Sequence, residues 1–433
     1  MATKPNILIF GGLDLLVAAL ASQLIPPAPA EPLISHLRVV DKYSINPPTK
    51  FFPNSLLKLL QERQDIIEYR QSNLTNPAAV SKAYTDVTPN GLPYDYVIDS
   101  TAELVPDRPV ELYIRNMFDV ALNIARASAE QLSRTPGSIK AHIRLVCPFY
   151  EHKKDKKRYA EADPEGWKVK DMRGVWGHEA LRAIASIEGL PLVALRTGLV
   201  YGNGFYQYEA VGLILLGLVY KHLGRDMTLL WSPDLPKNLI NICDFAGVVW
   251  KAAEWMSTKT RNEANMLAGV PIPPSGDPSV TKENAPNVLL PSSGSVTVPL
   301  FNMVDESDAT QRSLSEVVGR VFGVKVKFQG LIKGLFAGMK LKEVTEEANQ
   351  AHMEAWNEII MNSKPPVPST PLSPYMPLSL VEEHGVAMQA DRLKSILGYE
   401  FQYPRFDDRA VRDYIDWCRS EGIWPEIDTP TSS

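Results

Sequence analysis

The chain has 433 residues, 45% hydrophobic and 22% charged, a globular balance with enough length for one large domain and an elaborated second lobe. Lys and Arg total 45 against 50 Asp and Glu, and the net charge of −5 excludes the basic excess that nucleic-acid binding requires. Three cysteines, Cys147, Cys243 and Cys418, lack any CxxC spacing, which argues against a disulfide framework or zinc site and for free thiols in a reducing, cytoplasmic setting.

Asn6 to Ala21, NILIFGGLDLLVAALA, reads as a buried strand entering a helix through a glycine pair. A signal peptide is the competing reading of this apolar run, but Gly11, Gly12 and Asp14 suit a strand–turn–helix and not a leader. HLRVVDK is a second strand ending at Asp41, LLKLLQERQ a helix and DIIEYRQSNL a third strand. A short helix over Asn76 to Tyr84, the strand YDYVIDST, the long helix ELYIRNMFDVALNIARASAEQL and the strand HIRLVCPF follow. A helix from about Val175 to Glu188 and the strand PLVALRTGLVYG complete the alternation.

This βαβα order predicts a Rossmann-like, doubly wound parallel α/β sheet with its crevice at the strand C-termini. Beyond Gly202 come an apolar helix, the loop WSPDLPKN, the strand LINIC and the helix DFAGVVWKAAEWM. Ala210 to Tyr220 is too short for a bilayer, so no membrane span is expected. Pro271 to Pro299, rich in Pro, Ser and Gly, reads as a surface loop, then PLFNMVD as a strand and TQRSLSEVVGRVFG as a helix. Amphipathic helix over IKGLFAGMKLKEVTEEANQAHMEAWNEII, a stiff loop PPVPSTPLSP and a last helix DRAVRDYIDWCRSEGIWP end the chain. The expected division is a Rossmann-like domain over 1–250, with a strand and helix returning at 298–323, and a smaller, mainly helical C-terminal substrate lobe over 251–433.

In their order, the FGG turn, VVD, SNLTNP, DYVIDSTAE, GLPLVALRTGLVYGNG, LINICDFAGVV and FNMVDESDATQRSL resemble the extended short-chain dehydrogenases/reductases of the NAD-dependent epimerase/dehydratase family, over about residues 5 to 325. The resemblance implies a dinucleotide on Gly11, Gly12, Asp14, Asp41, Asn73, Leu74, Ser100, Thr101 and Ala102. It also marks departures. The family's three turn glycines fall on Gly11, Asp14 and Val17, and a carboxylate at Asp14 would repel a pyrophosphate or else cap the helix. Asp41 stands where the family's acid takes the adenine-ribose hydroxyls and favours NAD; a solvated turn residue is the plainer reading. NAD(P) binding is therefore a doubtful expectation.

The family's catalytic Tyr-x-x-x-Lys pair falls on Arg173 or Gly174 and Gly177 or His178, so neither partner is kept. Four residues stand as candidates in its place. His178 suits acid–base work with Glu179 orienting it, against the reading of a surface histidine. Tyr150 opens a literal Tyr-x-x-x-Lys ending at Lys154, in a charged run that also reads as an exposed loop. Cys147, near the family's serine position, is a nucleophile or a small core hydrophobe. Trp176, Thr197, Tyr201, Tyr206 and Tyr208 are the expected substrate lining. The remaining histidines have no metal-ligand spacing, and no metal is expected.

Three functions stay open. One is a non-redox isomerase, cyclase or lyase of specialised metabolism acting on a small apolar molecule. The second is an NAD(P)(H)-dependent oxidoreductase or epimerase, and the third a non-catalytic ligand sensor. The family habit of pairing long helices makes Glu111 to Leu132 and Val175 to Glu188 candidate homodimer elements.

Overall fold

The computed structural model describes residues 4–152, 157–206, 208–276, 278–285, 294–329 and 340–426. Its strands are β1 (Asn6–Phe10), β2 (His36–Asp41), β3 (Ile67–Gln71), β4 (Tyr96–Asp99), β5 (Ala141–Val146), β6 (Leu192–Thr197), β7 (Leu199–Tyr201), β8 (Met227–Leu229), β9 (Leu239–Asn241), β10 (Gly269–Ile272), β11 (Val296–Met303) and β12 (Val326–Phe328). Eight of them form the central sheet in the order β10-β11-β6-β5-β4-β1-β2-β3. All neighbours run parallel except β10 on β11. Every residue of β1, β2, β4, β5 and β6 is buried, as strands covered on both faces by crossover helices must be.

The helices are α1 (Val17–Leu24), α2 (Asn54–Glu62), α3 (Pro77–Thr85), α4 (Val110–Tyr113), α5 (Val120–Arg134), α6 (Met172–Ala185), α7 (Glu209–Leu223), α8 (Ile242–Ser257), α9 (Arg261–Ala268), α10 (Pro278–Asn284), α11 (Gln311–Phe322), α12 (Leu341–Met361), α13 (Leu378–Val381), α14 (Asp391–Ser395) and α15 (Asp408–Ser420). Ile114–Asp119, between α4 and α5, has π geometry. On one sheet face α1, α2 and α8 bury Leu20, Leu24, Leu56, Val249 and Met256 against Ile7, Ile9 and Ile143. On the other, α3, α5 and α6 cover Leu8, Phe10, Val97 and Leu192. A second core joins α7, α11, α12 and α15 around Leu215, Val318, Trp356 and Tyr414.

The alternation expected over the first 250 residues is the one found. Differences lie where the pattern is short or interrupted. Pro271 to Pro299 is not one loop: β10 pairs antiparallel with β11, burying Val270 and Ile272 while Pro271 stays exposed, and α10 follows. A four-residue alternation beside so many Pro and Ser residues is too brief to register as periodicity. Helix α9, closed by a Thr260–Glu263 capping box, also went unanticipated. Residues 330–339, assigned in part to an amphipathic helix, lie outside the described residues, and the helix found starts at Leu341.

The stretch 251–433 is divided between both cores. Strands β10 and β11 extend the sheet, α12 and α15 join the second core, and residues 385–388 lie buried between the two. Helix α6 is not a free amphipathic face either. Its residues Trp176, His178, Glu179, Leu181 and Arg182 are buried, and the chain after β10 covers it: the Ser275 amide donates to Glu179 at 2.8 Å and Arg182 donates to the Gly294 carbonyl at 2.8 Å.

Candidate active site

The glycine turn sits at the C-terminal end of β1, where the chain must reverse under the end of β4. Gly11 and Gly12 have φ of 72° and 73°, in the left-handed region that glycine tolerates and other residues resist. A Cβ on Gly12 would lie 2.7 Å from Ser100 Oγ, so the turn packs tightly on the β4 end. The amides of Leu15, Leu16 and Val17 all donate back to the Gly12 carbonyl at 2.9–3.0 Å. Helix α1 starts at Val17 with Leu16 as its uncapped N-cap, so Asp14 does not cap it. Asp14 instead makes an ion pair with Lys50, whose ammonium also lies 4.3 Å from the centre of the Tyr43 ring. Asp41 is buried, and its carboxylate accepts from the Leu13 amide at 3.1 Å and the Lys42 amide at 2.6 Å. Burial raises its pKa in spite of those bonds.

Beside the turn, β4 and β5 end in a buried ion pair that the sequence reading missed. Arg144 lies 2.8 Å from Asp99 and donates to the Thr101 carbonyl at 2.9 Å, while Asp99 accepts from the Thr101 amide and hydroxyl. Strand periodicity made Arg144 an unremarkable member of HIRLVCPF; only the register that sets Asp99 opposite it reveals the pair. Arg144 lines a small cavity of about 10 Å³ with Ala102, Met117, Cys147, Phe149, Tyr150, Gly174, Gly177 and His178. That volume holds about one water molecule.

His178 and Tyr150 meet here, although sequence reasoning named them separately. The Tyr150 hydroxyl is 3.2 Å from His178 Nδ1, and His178 Nε2 is 2.6 Å from the Pro273 carbonyl oxygen. The carbonyl only accepts, so it takes the Nε2 proton and leaves Nδ1 to accept from the phenol. Both groups are buried: burial lowers the His178 pKa to about 4 and raises that of Tyr150. The Trp167 ring packs edge-on to both. His178 is thus a buried histidine, not a surface one, and Pro273 orients it. Glu179 is engaged with Arg182 at 2.7 Å and with the Ser275 amide. Helix α6 can lie this close because Gly174 and Gly177 face Phe149 and Met117; a Cβ on Gly174 would lie 2.7 Å from the Phe149 carbonyl oxygen. Lys154, the other end of the literal Tyr-x-x-x-Lys, lies outside the described residues. Burial pushes the Cys147 thiol up to about 11, which leaves little thiolate for a nucleophile at neutral pH.

Two segments cover the crevice. After β7, Phe205 and Tyr206 pack into the second core, with Tyr206 edge-on to Phe51 at 5.0 Å and packed on Trp417 of α15 at 5.5 Å. Tyr208 stacks on Phe205 at 5.3 Å, and burial raises its pKa. On the opposite side, residues 385–389 form a strap: the Ala387 amide donates to His152 Nδ1 at 2.8 Å, Val386 to the Pro236 carbonyl at 2.9 Å, and Met388 to Asn238 at 2.7 Å. His384 reaches the Pro148 carbonyl.

The other expected residues are placed as follows. Asn73 closes a local turn through Thr75, and Leu74 is buried under α5. Thr197 donates to the Val146 carbonyl inside the sheet. Trp176 packs on Phe118 and Tyr201 on Phe406; both are fully buried and neither lines the cavity. Among the described residues no group of three or more His, Cys, Asp or Glu side chains is placed to hold a metal, and no helix is long and apolar enough to cross a membrane.

No family model and no curated protein matches the sequence. Solved structures do match. The Bordetella bronchiseptica enzyme WbmG, in complex with NAD and UDP, is 13% identical over 98% of this chain and 96% of that one, with a TM-score of 0.57. UDP-glucose 4-epimerase from Thermotoga maritima, with UDP-glucose, is 12% identical over 96% and 99%, with a TM-score of 0.57. The dTDP-glucose 4,6-dehydratase of Bacillus anthracis, in complex with NAD, is 11% identical over 97% and 98%, with a TM-score of 0.56. The fold is that of the extended short-chain dehydrogenases/reductases.

Those neighbours hold NAD or a sugar nucleotide, which raises the question of whether this chain's residues fit a dinucleotide. In the conformation described they do not. The amides of Leu15, Leu16 and Val17 are taken by the Gly12 carbonyl, the Asp41 carboxylate by two backbone amides, and the carboxylate of Asp14, paired with Lys50, stands in the turn. A pyrophosphate needs free, converging donors at that place.

Proposed function

We propose that this chain is an extended-SDR-like enzyme of small-molecule metabolism that works without a nicotinamide cofactor, by proton transfer on a small apolar molecule: an isomerase, cyclase or lyase. The observation that carries the reading is the Tyr150–His178 hydrogen bond beside the strand-end cavity. The cavity is closed here to about one water molecule, so the reading requires the crevice to open for the substrate; the Tyr150 oxygen then accepts a proton from it as its own passes to His178 Nδ1, with the Pro273 carbonyl holding the imidazole in the tautomer that makes this possible. Burial disfavours both the imidazolium and the phenolate, so the proton must enter and leave in one concerted relay and not rest on either group. Arg144, fixed by Asp99, supplies positive charge next to the reacting centre. The cavity's other walls include Met117, Val146 and Phe149, an apolar setting for a small ligand.

A second reading, a non-catalytic ligand sensor, is favoured by the buried strap 385–388 across the substrate side. One experiment tests the cofactor-free premise common to both. Thermal-shift titration with millimolar NAD, NADH, NADP and NADPH is expected to give no shift. A ligand at about 100 times its Kd would add about 2.7 kcal/mol, a few degrees here, and such a shift with any of the four would transfer the chain to the oxidoreductase or epimerase reading. Asp14→Gly is expected to leave the result unchanged, since Lys50 already neutralises that carboxylate.

The covered face of α6 also bears on partners. Of the two candidate dimer elements only Glu111 to Leu132 keeps an open face, so sedimentation is expected to find a dimer through that helix or a single species of 48.1 kDa, and not one paired through α6. A dimer at micromolar concentration would mean that another surface takes the place of the sealed one.

A further inference from the structure

We propose that Arg196 is a positioning residue for the Tyr150–His178 pair: its buried guanidinium, seated over Trp167, polarises the Tyr150 hydroxyl toward His178 Nδ1. The purpose of the arrangement rests on the proton-transfer reading, but its geometry does not. Arg196 is fully buried on β6, and the parallel register sets Asn302 of β11 beside it. Its Nε donates to Asn302 Oδ1 at 2.7 Å and its Nη1 to the Gly166 carbonyl at 3.1 Å. Nη2 is buried without an acceptor. The two acids whose charge reaches the guanidinium are committed elsewhere, Glu161 to Arg392 at 3.5 Å and Asp163 to Lys157 at 2.9 Å. Burial lowers the Arg196 pKa only to about 10, so the group is charged at neutral pH. A buried cation without an ion-pair partner is costly to keep, and its surroundings show where the charge acts.

What it faces is the site. Arg196 Cζ stands 4.2 Å from the centre of the Trp167 ring and 5.6 Å from that of Tyr150, within the reach of cation–π attraction. Trp167 is edge-on to Tyr150 at 5.2 Å and to His178 at 5.5 Å, and its Nε1 donates to the Glu161 carbonyl at 3.1 Å, which fixes the indole plane. Guanidinium, indole and the phenol–imidazole pair therefore form one buried stack. A positive charge on the phenol side favours negative charge on the Tyr150 oxygen and disfavours a second cation on the imidazole. The hydroxyl proton is drawn toward Nδ1 without being left there, as a concerted relay needs. The C-terminal extension takes part at one remove. Asn302 Nδ2 donates to the Gln389 carbonyl at 2.7 Å and the Tyr159 carbonyl at 3.2 Å, and the Asn302 amide to Glu161 at 3.1 Å. Those bonds turn the Asn302 oxygen onto Arg196, so the strap 385–389 fixes the guanidinium that acts on the pair.

The phenol–imidazole hydrogen bond is the reporter. Nitrogen NMR of isotope-labelled histidine at neutral pH reads how strongly the phenol donates to His178 Nδ1. His178→Gln identifies the resonance among the seven histidines, and Tyr150→Phe gives its position without a donor. Arg196→Met, which removes the charge, is expected to move the resonance at least halfway to the Tyr150→Phe position. Asn302→Asp keeps Arg196 and an acceptor for its Nε but adds the opposite charge, and it is expected to move the resonance in the same direction; a purely structural clip would leave it in place. Circular dichroism checks the fold of each variant, and where one fails to fold the other decides. A parent-like resonance in a folded Arg196→Met or Asn302→Asp would overturn the proposal. No substrate enters the measurement, so the two failures are distinct: a melting shift with a nicotinamide nucleotide would remove the proton-transfer reading and leave the stack, and a parent-like resonance would remove Arg196 and leave the pair.

Discussion

Acidification from pH 7 to pH 4 is expected to unfold the protein. Burial lowers the pKa of His142, His152 and His178 to about 4, and that of His384, among Lys237, Lys170 and His152, to about 3. Once unfolded, each returns to an ordinary value of about 6.5. Between those limits the unfolded chain binds protons that the native chain refuses, so stability falls as the pH drops below about 6.5 and the loss is complete near pH 4. A difference of about 2.5 pH units corresponds to about 3 kcal/mol for a single independent site, and all four histidines act in the same direction, against a total stability of about 5–15 kcal/mol for a typical domain. Asp305 works the other way. Its buried carboxyl is raised to about 7, so the native state takes that proton first and gains stability as the pH falls. Burial also raises Asp41, Asp119, Glu161 and Asp244, which act in the same direction and offset part of the histidine effect, while His36 and His352, also lowered by burial, add to it. Melting temperature measured from pH 8 to pH 4 is expected to fall most steeply between about pH 6 and pH 4.5; a flat profile would mean that these histidines are not held neutral in the interior.

The same histidines show what the sequence could and could not convey. The sheet was legible because each strand is a continuous apolar run and each crossover helix has a repeating apolar stripe. His178 was legible only as a residue type on a helix; what makes it a site is Pro273, 95 residues further along, and Tyr150, 28 residues back. Asp14 was readable as an intruder in a glycine turn but not as the partner of Lys50, because the loop after β2 has no periodicity to place it. The tail was the least legible. Val386 and Ala387 are buried by hydrogen bonds to His152, Pro236 and Asn238, contacts between residues 148 to 235 apart in sequence that no local pattern encodes. Sequence thus specified the scaffold and the identity of several chemical groups, while their grouping came from chain crossings.

Asp99→Ala is expected to cost about 3–5 kcal/mol, the effect of stranding a buried charge. Asp99 has no solvent exposure and Arg144 has 3%, so neither group can turn to water when its partner is lost. Arg144 already has one buried donor, Nε, without a hydrogen-bond acceptor, so removing the carboxylate leaves the guanidinium with only Thr101. Asp99→Asn keeps an oxygen for the Thr101 amide and hydroxyl but not the charge, and its cost should fall between that of Ala and the parent. The double variant Asp99→Ala with Arg144→Met removes both charges, and because no unpaired ion remains it is expected to recover much of the loss. Urea unfolding of the four proteins measures the pair directly, and a single-variant cost under about 1 kcal/mol would show that water reaches Arg144. The comparison also separates support from chemistry. If the double variant regains stability yet no longer turns over a substrate that the parent accepts, the positive charge beside Tyr150 is needed for the reaction; if turnover survives, Arg144 holds the strand ends together and the Tyr150–His178 pair acts without it.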